Sequence, residues 1–413
     1  MPHNVVITGV GVVTRDAPDT DGFRHILMHG GQPPNMPRQF DSSRFRAKLA
    51  FATDPEVARA RLAAALGDSR GDLLSEPPTD ADMDCAGHGI LATLEATHQA
   101  GLDRTDLAQA GCSLATTSGG MMDSFADLLD DEDSDADIED LLAPASPARV
   151  LNRLFGLSGP LCSFSCACVS SLAAISYAFA RIRAGDAPLM ITGGSDRMRE
   201  ADFAGFNALR AMDRDSCRPF DETRKGMMIG DGSAILVLEA EEFARARGAH
   251  PLMRLSGIGL ATDSHHITSP NSLGLTRAME QALRQAGRRP DEIAYVNCHG
   301  TGTPLNDAAE AKALSTVFGA LRDKPLVSST KGSTGHLLGT AGAIETVATL
   351  LAIGTGEAPV MTTTAQPYEM GFRLPLPNSD RRLSGGIAMK NSLGFGGLNA
   401  SLILERYDET RAH

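Results

Sequence analysis

Tryptophan is absent from the sequence, and aromatic residues make up only 5% of it. With 42 glycines in 413 residues, that scarcity of bulk suits a tightly packed α/β enzyme in which backbones approach closely. No long, purely apolar run of about 18 residues stands out, so no membrane-spanning helix is expected. The opening Met1-Pro2-His3-Asn4-Val5-Val6-Ile7 lacks a charged n-region and a cleavage pattern; it reads as a first strand. A disulfide framework is missing too. The 7 cysteines, at 85, 112, 162, 166, 168, 217 and 298, are odd in number and scattered. They point to reduced thiols and a cytoplasmic location. Positive charge is also short, and a net charge of −13 disfavours non-specific nucleic-acid binding.

What is present centres on Cys168, in Ser165-Cys166-Ala167-Cys168-Val169-Ser170-Ser171. An apolar run precedes it at 161–165, and residues 169–184 follow without Pro or Gly until Gly185. The pattern predicts a buried strand, a tight turn, and a helix whose first turn carries the thiol. Unpaired N–H groups and the helix dipole at that end favour the thiolate, the nucleophilic form. The plain alternative is a buried structural cysteine, as most free cysteines are.

The rest of the chain reads as an α/β alternation that restarts near residue 250. The β-branched run Val5-Val6-Ile7-Thr8-Gly9-Val10-Gly11-Val12-Val13 is matched by Leu252-Met253-Arg254-Leu255-Ser256-Gly257-Ile258-Gly259-Leu260, each with a GxG. The first lacks the third glycine of a dinucleotide fingerprint, so cofactor binding there is discounted. Two halves are expected, 1–250 and 251–413. Residues 123–140 hold 10 acidic residues and no basic one, which reads as a solvated surface segment.

Three further motifs each follow a predicted strand, where α/β proteins gather their sites. His299 ends one strand and opens the loop Gly300-Thr301-Gly302-Thr303-Pro304. His336 follows Leu326-Val327-Ser328-Ser329-Thr330-Lys331, at the predicted start of a helix over 337–353. Asn391-Ser392-Leu393-Gly394-Phe395-Gly396-Gly397-Leu398-Asn399 is a glycine-rich turn whose N–H groups could hold an oxyanion. A zinc site built from Cys162, Cys166, Cys168 and His299 is the competing use, but no CxxC pair supports it.

Four segments together resemble the signatures of β-ketoacyl-acyl-carrier-protein synthases, most closely the elongating, type II class of fatty-acid and polyketide synthesis. They are Cys166-Ala167-Cys168-Val169-Ser170-Ser171, residues 297–307, residues 329–339 and residues 391–399. The resemblance implies a thiolase fold: a duplicated, five-layered α-β-α-β-α architecture, forming a dimer. It implies that Cys168 is the acylated nucleophile and that His299 and His336 are the decarboxylating pair. Lys331 and Glu345 match a charged pair supporting them, and Phe395 a gate whose N–H joins that of Cys168 in an oxyanion hole. Thr301 and Thr303 match hydroxyls on the phosphopantetheine arm, and Thr268 and Ser269 lie near its tunnel. Ser118, with a larger aliphatic common at its place, would line the acyl pocket. Cys166, Cys298, Leu393 and Met227 stand where Thr, Ala, Phe and Phe are common, which favours specialised lipid or polyketide synthesis over the housekeeping role.

The resemblance also implies the partners: acyl carrier protein, and a second ketosynthase-like subunit, either a copy or a chain-length factor. No metal and no further cofactor are expected, since the substrate arrives on phosphopantetheine. A thiolase should carry a second cysteine within 391–399, and none is there. The chain-starting class uses Asn at the second histidine's place, against His336 here. A non-condensing chain-length subunit usually lacks the nucleophile.

Overall fold

The opening β-branched run forms β1 (Val5–Thr14), buried along its whole length. Its GxG is where helix α1 (Asp80–Gln99) presses in. A Cβ on Gly9 would lie 2.1 Å from the Ala96 carbonyl oxygen, and one on Gly11 1.9 Å from that of Ala92. Then come β2 (Ala110–Ala115), β3 (Leu161–Phe164), helix α2 (Ser170–Ala184), β4 (Leu189–Asp196) and β5 (Gly232–Ala240). The structure, a computed structural model, describes residues 2–67, 69–119, 146–264, 266–321 and 325–408. The acidic stretch 123–140 lies outside them.

The plan then repeats. β6 (Met253–Thr262) carries the second GxG against helix α3 (Ser272–Ala286): a Cβ on Gly259 would lie 1.9 Å from the Ala278 carbonyl oxygen. β7 (Tyr295–Asn297), helix α4 (Pro304–Phe318), β8 (Leu326–Ser328), helix α5 (Ala341–Thr355), β9 (Ile387–Gly394) and β10 (Leu398–Arg406) follow. The strands lie in the order β3-β2-β4-β5-β1-β6-β10-β9-β7-β8. Read outward from the β1/β6 junction, both halves give the same sequence of strands. Each also gives the same directions: two antiparallel pairings, then two parallel ones.

Helices α2 and α5 pack on each other and touch strands of both halves, so they form the middle layer. Helix α1 covers β1 and β5 from outside, and α3 covers β6 and β10. The result is the five-layered thiolase fold. Its main core joins Ile175 and Phe179 of α2, Ile344 and Val347 of α5, and strand residues of both halves. Each fully buried aliphatic there contributes about 1.5–3 kcal/mol.

Two expectations need correction. β3 is not a buried strand in the single chain: among the described residues β2 is its one sheet neighbour, and Leu161 is 44% exposed. An apolar run looks the same in sequence whether a sheet continues beyond it or ends there. Residues 338–355, long and apolar enough by length and composition to cross a membrane, are 83% buried and form the core helix α5 with its lead-in turn. That helix starts at Ala341, not at 337, because a 3-10 turn (Leu338–Thr340) intervenes.

Candidate active site

Cys168 sits in the turn between β3 and α2. Ala167 holds φ at +52°, a left-handed conformation uncommon for a residue with a Cβ. Local bonds over-determine it. The Ser170 hydroxyl accepts from the Cys166 N–H at 2.7 Å and donates to the Ala167 carbonyl at 2.6 Å. The strain turns Cys168 inward at 6% exposure. The helix itself begins at Ser170, so the thiol precedes its first turn rather than riding in it. Burial pushes the thiol up to about 11, against the pull of Lys331 and of the Phe395 and Cys168 backbone N–H groups. The expected lowering by the helix end is therefore reversed, because desolvation of a thiolate outweighs partial charges at the helix terminus.

His299 and His336 face Cys168 from the other half. The Cys168 sulfur and one ring nitrogen of each imidazole lie within 4.8 Å of one another, and the two rings meet edge-on with centroids 5.2 Å apart. Their tautomers follow from their neighbours. Leu338 donates its N–H to His336 Nδ1 at 3.0 Å, and Lys331 Nζ lies 3.3 Å from His299 Nδ1. Both Nδ1 atoms therefore accept, and both rings carry their proton on Nε2. Among the described residues, buried His336 Nε2 has no hydrogen-bond partner. Burial holds both imidazoles well below their ordinary range, and the charges of Lys331 and Lys390 add to it. The site thus presents two neutral N–H donors beside a thiol.

A cavity of about 300 Å³ leads to them. Cys168, His299 and His336 lie in its lining; Thr301, Thr303, Thr268, Leu209, Arg210, Lys225, Ile267, Leu305 and Phe395 are there too. The Thr301 and Thr303 hydroxyls are 2.9 Å apart. Ser269 is not in this lining, but its N–H and that of Thr268 both donate to His266 Nδ1 at 3.1 Å. Ser118 is not in this lining; its hydroxyl donates to Asp202 at 2.8 Å. A second cleft, beside Cys85 and His88, holds only about 40 Å³, too little for a thioester chain.

The family models described as "Beta-ketoacyl synthase, N-terminal domain" and "Beta-ketoacyl synthase, C-terminal domain" match residues 3–244 and 252–364. The chain belongs to the β-ketoacyl synthase family. A 3-oxoacyl-[acyl-carrier-protein] synthase 2 of Coxiella burnetii is 33% identical over 426 aligned positions, covering 98% of this chain and 99% of the relative. The mitochondrial 3-oxoacyl-[acyl-carrier-protein] synthase of Arabidopsis thaliana is 42% identical over 264 positions, 60% of this chain and 57% of that relative's length. Among solved structures, the ishigamide ketosynthase/chain length factor superposes with a TM-score of 0.88 at 29% identity, covering 99% of this chain and all of the other. The class of activity is therefore ketosynthase chain elongation with carrier-borne acyl groups.

The ketosynthase site also contains groups that no sequence motif announced. Glu310 of α4 accepts from the His299 and Gly300 N–H groups at 2.9 and 2.8 Å and so fixes the histidine loop. Asp196, at the end of β4, accepts from Thr117 N–H at 2.6 Å and from Thr340 N–H at 2.9 Å. It straps the turn after His336 to the opposite half. Burial pushes both carboxyls up to about 7. Lys331 Nζ donates to the His299 carbonyl at 2.6 Å and pairs with Glu345 Oε1; Lys390, unanticipated, pairs with Glu345 Oε2 at 2.8 Å. Cys168, His299 and His336 are spaced so that three donors could converge on an ion. The two buried ammonium groups oppose a dication there, for the same reason that they oppose imidazolium.

The depressed histidines set a pH expectation. A free imidazole protonates near pH 6.5, whereas these stay neutral further into acid. Carbon dioxide release from a malonyl thioester should hold its neutral-pH rate at pH 6. An acid limb titrating at the free-imidazole value contradicts the assignment.

Proposed function

We propose that this ketosynthase carries out decarboxylative Claisen condensation between malonyl-acyl carrier protein and an acyl chain held on Cys168. The observation that carries it is one cavity holding a thiol and two neutral Nε2–H donors, with a backbone N–H pair at Cys168 and Phe395. The Cys168 thiolate attacks the acyl thioester carbonyl, and the carrier's thiol leaves with the proton. The malonyl thioester then enters past Thr301, Thr303 and Thr268. Its carbon–carboxylate bond breaks, CO2 departs, and the electron pair becomes an enolate whose oxygen takes hydrogen bonds from His299 and His336. The enolate carbon attacks the acyl-Cys168 carbonyl, the Phe395 and Cys168 N–H groups hold the oxyanion, and the expelled Cys168 thiolate takes a proton from solvent.

In this reading residues 1–250 supply the nucleophile and 251–413 the decarboxylating histidines. Type II polyketide or specialised lipid synthesis is favoured over housekeeping synthesis, and the chain works in the cytoplasm as a dimer with a copy of itself or with a chain-length factor. The ishigamide ketosynthase/chain length factor, which this chain resembles over 99% of its length, supports the second arrangement. Incubating the purified protein with acyl- and malonyl-carrier protein, and following acylated Cys168 by mass spectrometry and CO2 release, tests the proposal. A protein that is neither acylated nor releases CO2 would point to a non-condensing subunit.

The carrier should dock at the cavity mouth. The basic residues Arg44, Arg46 and Lys48 and the group Arg197, Arg199, Arg210, Arg214 and Arg218 do not all face it. Arg44 pairs with Glu200, Arg46 with the Met212 carbonyl, Arg197 with Asp84 and Arg218 with Asp213. Arg210 and Lys225 line the mouth beside exposed Leu209, Ile267 and Leu305. Carrier proteins are acidic, so Arg210→Glu with Lys225→Glu should raise KM for carrier-bound substrate and weaken its salt dependence. A small thioester should react as before. Equal losses on both substrates would indicate misfolding instead.

A further inference from the structure

We propose that Lys390 is a positioning residue for His299, acting through Glu345 and Lys331. The inference rests on the condensation reading above. Lys390 belongs to β9, a strand that runs through the interior, and its side chain is 0% exposed. Its ammonium lies 2.8 Å from Glu345 Oε2, donates to the Asn391 carbonyl, and is 3.3 Å from the Ser392 hydroxyl. The other Glu345 oxygen takes Lys331, whose ammonium reaches the His299 carbonyl at 2.6 Å and lies 3.3 Å from Nδ1. Four buried groups thus form one chain from β9, through α5 and the turn at Lys331, to His299.

Two consequences follow. A carboxylate held by one ammonium can rotate; the second ammonium, an ion pair at 2.8 Å from Oε2 without hydrogen-bond geometry, opposes that rotation by its charge, keeps Lys331 trained on His299 Nδ1 and so keeps the proton on Nε2. The second consequence is charge. Two ammonium groups share the Glu345 carboxylate, and the remaining positive charge opposes imidazolium at His299 and His336 while favouring an enolate between them. The titratable groups that feel Lys390 are Glu345 of α5, Lys331, Glu310 of α4, Cys298, His299 and His336. Burial lowers the proton affinity of Lys390 and Lys331 adds to that, with Glu345 pulling the other way. Lys390 is not in the cavity lining, so it acts on the substrate only through these neighbours.

Lys390→Met tests this, with Lys390→Gln as a polar variant that keeps donors for the Asn391 carbonyl. The expected result is a roughly 10–100-fold loss of malonyl-dependent CO2 release, as misplacement of a catalytic group brings. KM for the malonyl thioester should be unchanged, Cys168 acylation nearly so, and the acid limb of CO2 release should move to higher pH. A merely structural lysine would lower the melting temperature without moving that limb. In the parent protein, ¹⁵N-histidine spectra, with His299 assigned from His299→Asn, should show a neutral, Nε2-protonated ring at pH 6. A His299 that is protonated there overturns the proposal whether or not either variant folds. So do folded variants that match the parent in rate and acid limb. A parent that neither acylates nor releases CO2 would instead overturn the condensation reading.

Discussion

Cys168→Ala is expected to abolish acyl transfer to the protein, while Cys166→Ala retains most of it. The two thiols are separated by one residue, yet the turn treats them differently. Ala167 in its left-handed conformation carries the chain from Cys166, half-buried at the strand end, to Cys168, which points into the cavity with both histidines. Cys168 receives the Phe395 and Cys168 N–H groups and the Lys331 charge. A thiol pushed up to about 11 is mostly protonated at neutral pH. Acylation in a single turnover should therefore rise with pH, approaching about tenfold per unit below that value, because the thiolate is the reacting form. Alkylation by a small reagent should follow the same slope. Intact-mass and peptide mapping after incubation with acyl-carrier protein decide the assignment. An acyl group on Cys166, or a reaction already at its plateau at pH 7, would contradict it.

The parts that sequence made legible are those set by local chemistry. Each GxG marks where an outer helix touches a strand, because only glycine fits 1.9 Å from a carbonyl oxygen. Cys168, His299 and Phe395 each follow the end of a strand, and His336 the short helix after one, where the chain turns and short-range turn residues write the motif. What stayed hidden depends on distant partners. Asp196 meets Thr340 across 144 residues, and Lys390 meets Glu345 only once β9 and α5 pack. A single lysine in Ile387-Ala388-Met389-Lys390-Asn391 was nonetheless a visible signal: a cation in an apolar strand needs a buried partner. The Cys168 ionisation was misjudged for the same reason. The helix end is local, whereas desolvation belongs to the assembled interior.

His299→Ala and His336→Ala should each leave Cys168 acylation largely intact and cut CO2 release by roughly 10²–10³-fold, the loss typical of removing one oxyanion donor. The separation follows from the geometry. Acyl transfer needs the thiol and the two backbone N–H groups at Cys168 and Phe395, which neither substitution removes. Decarboxylation needs both Nε2–H donors on one enolate oxygen, and each ring supplies one. The two variants should still differ. Among the described residues His336 Nε2 has no partner, so loss of the ring removes that donor and one neutral bond, the Leu338 N–H to Nδ1. His299 is tied to Lys331 through Nδ1, and its backbone N–H to Glu310. Its removal leaves a buried ammonium short of an acceptor, so His299→Ala should also lower the melting temperature more than His336→Ala does. Parallel assays of acylated protein, released CO2 and thermal midpoint read all three effects. Undiminished CO2 release from either variant would remove that histidine from the reaction. Equal loss of acylation and CO2 release would mean that the imidazole acts on the thiol instead of on the enolate.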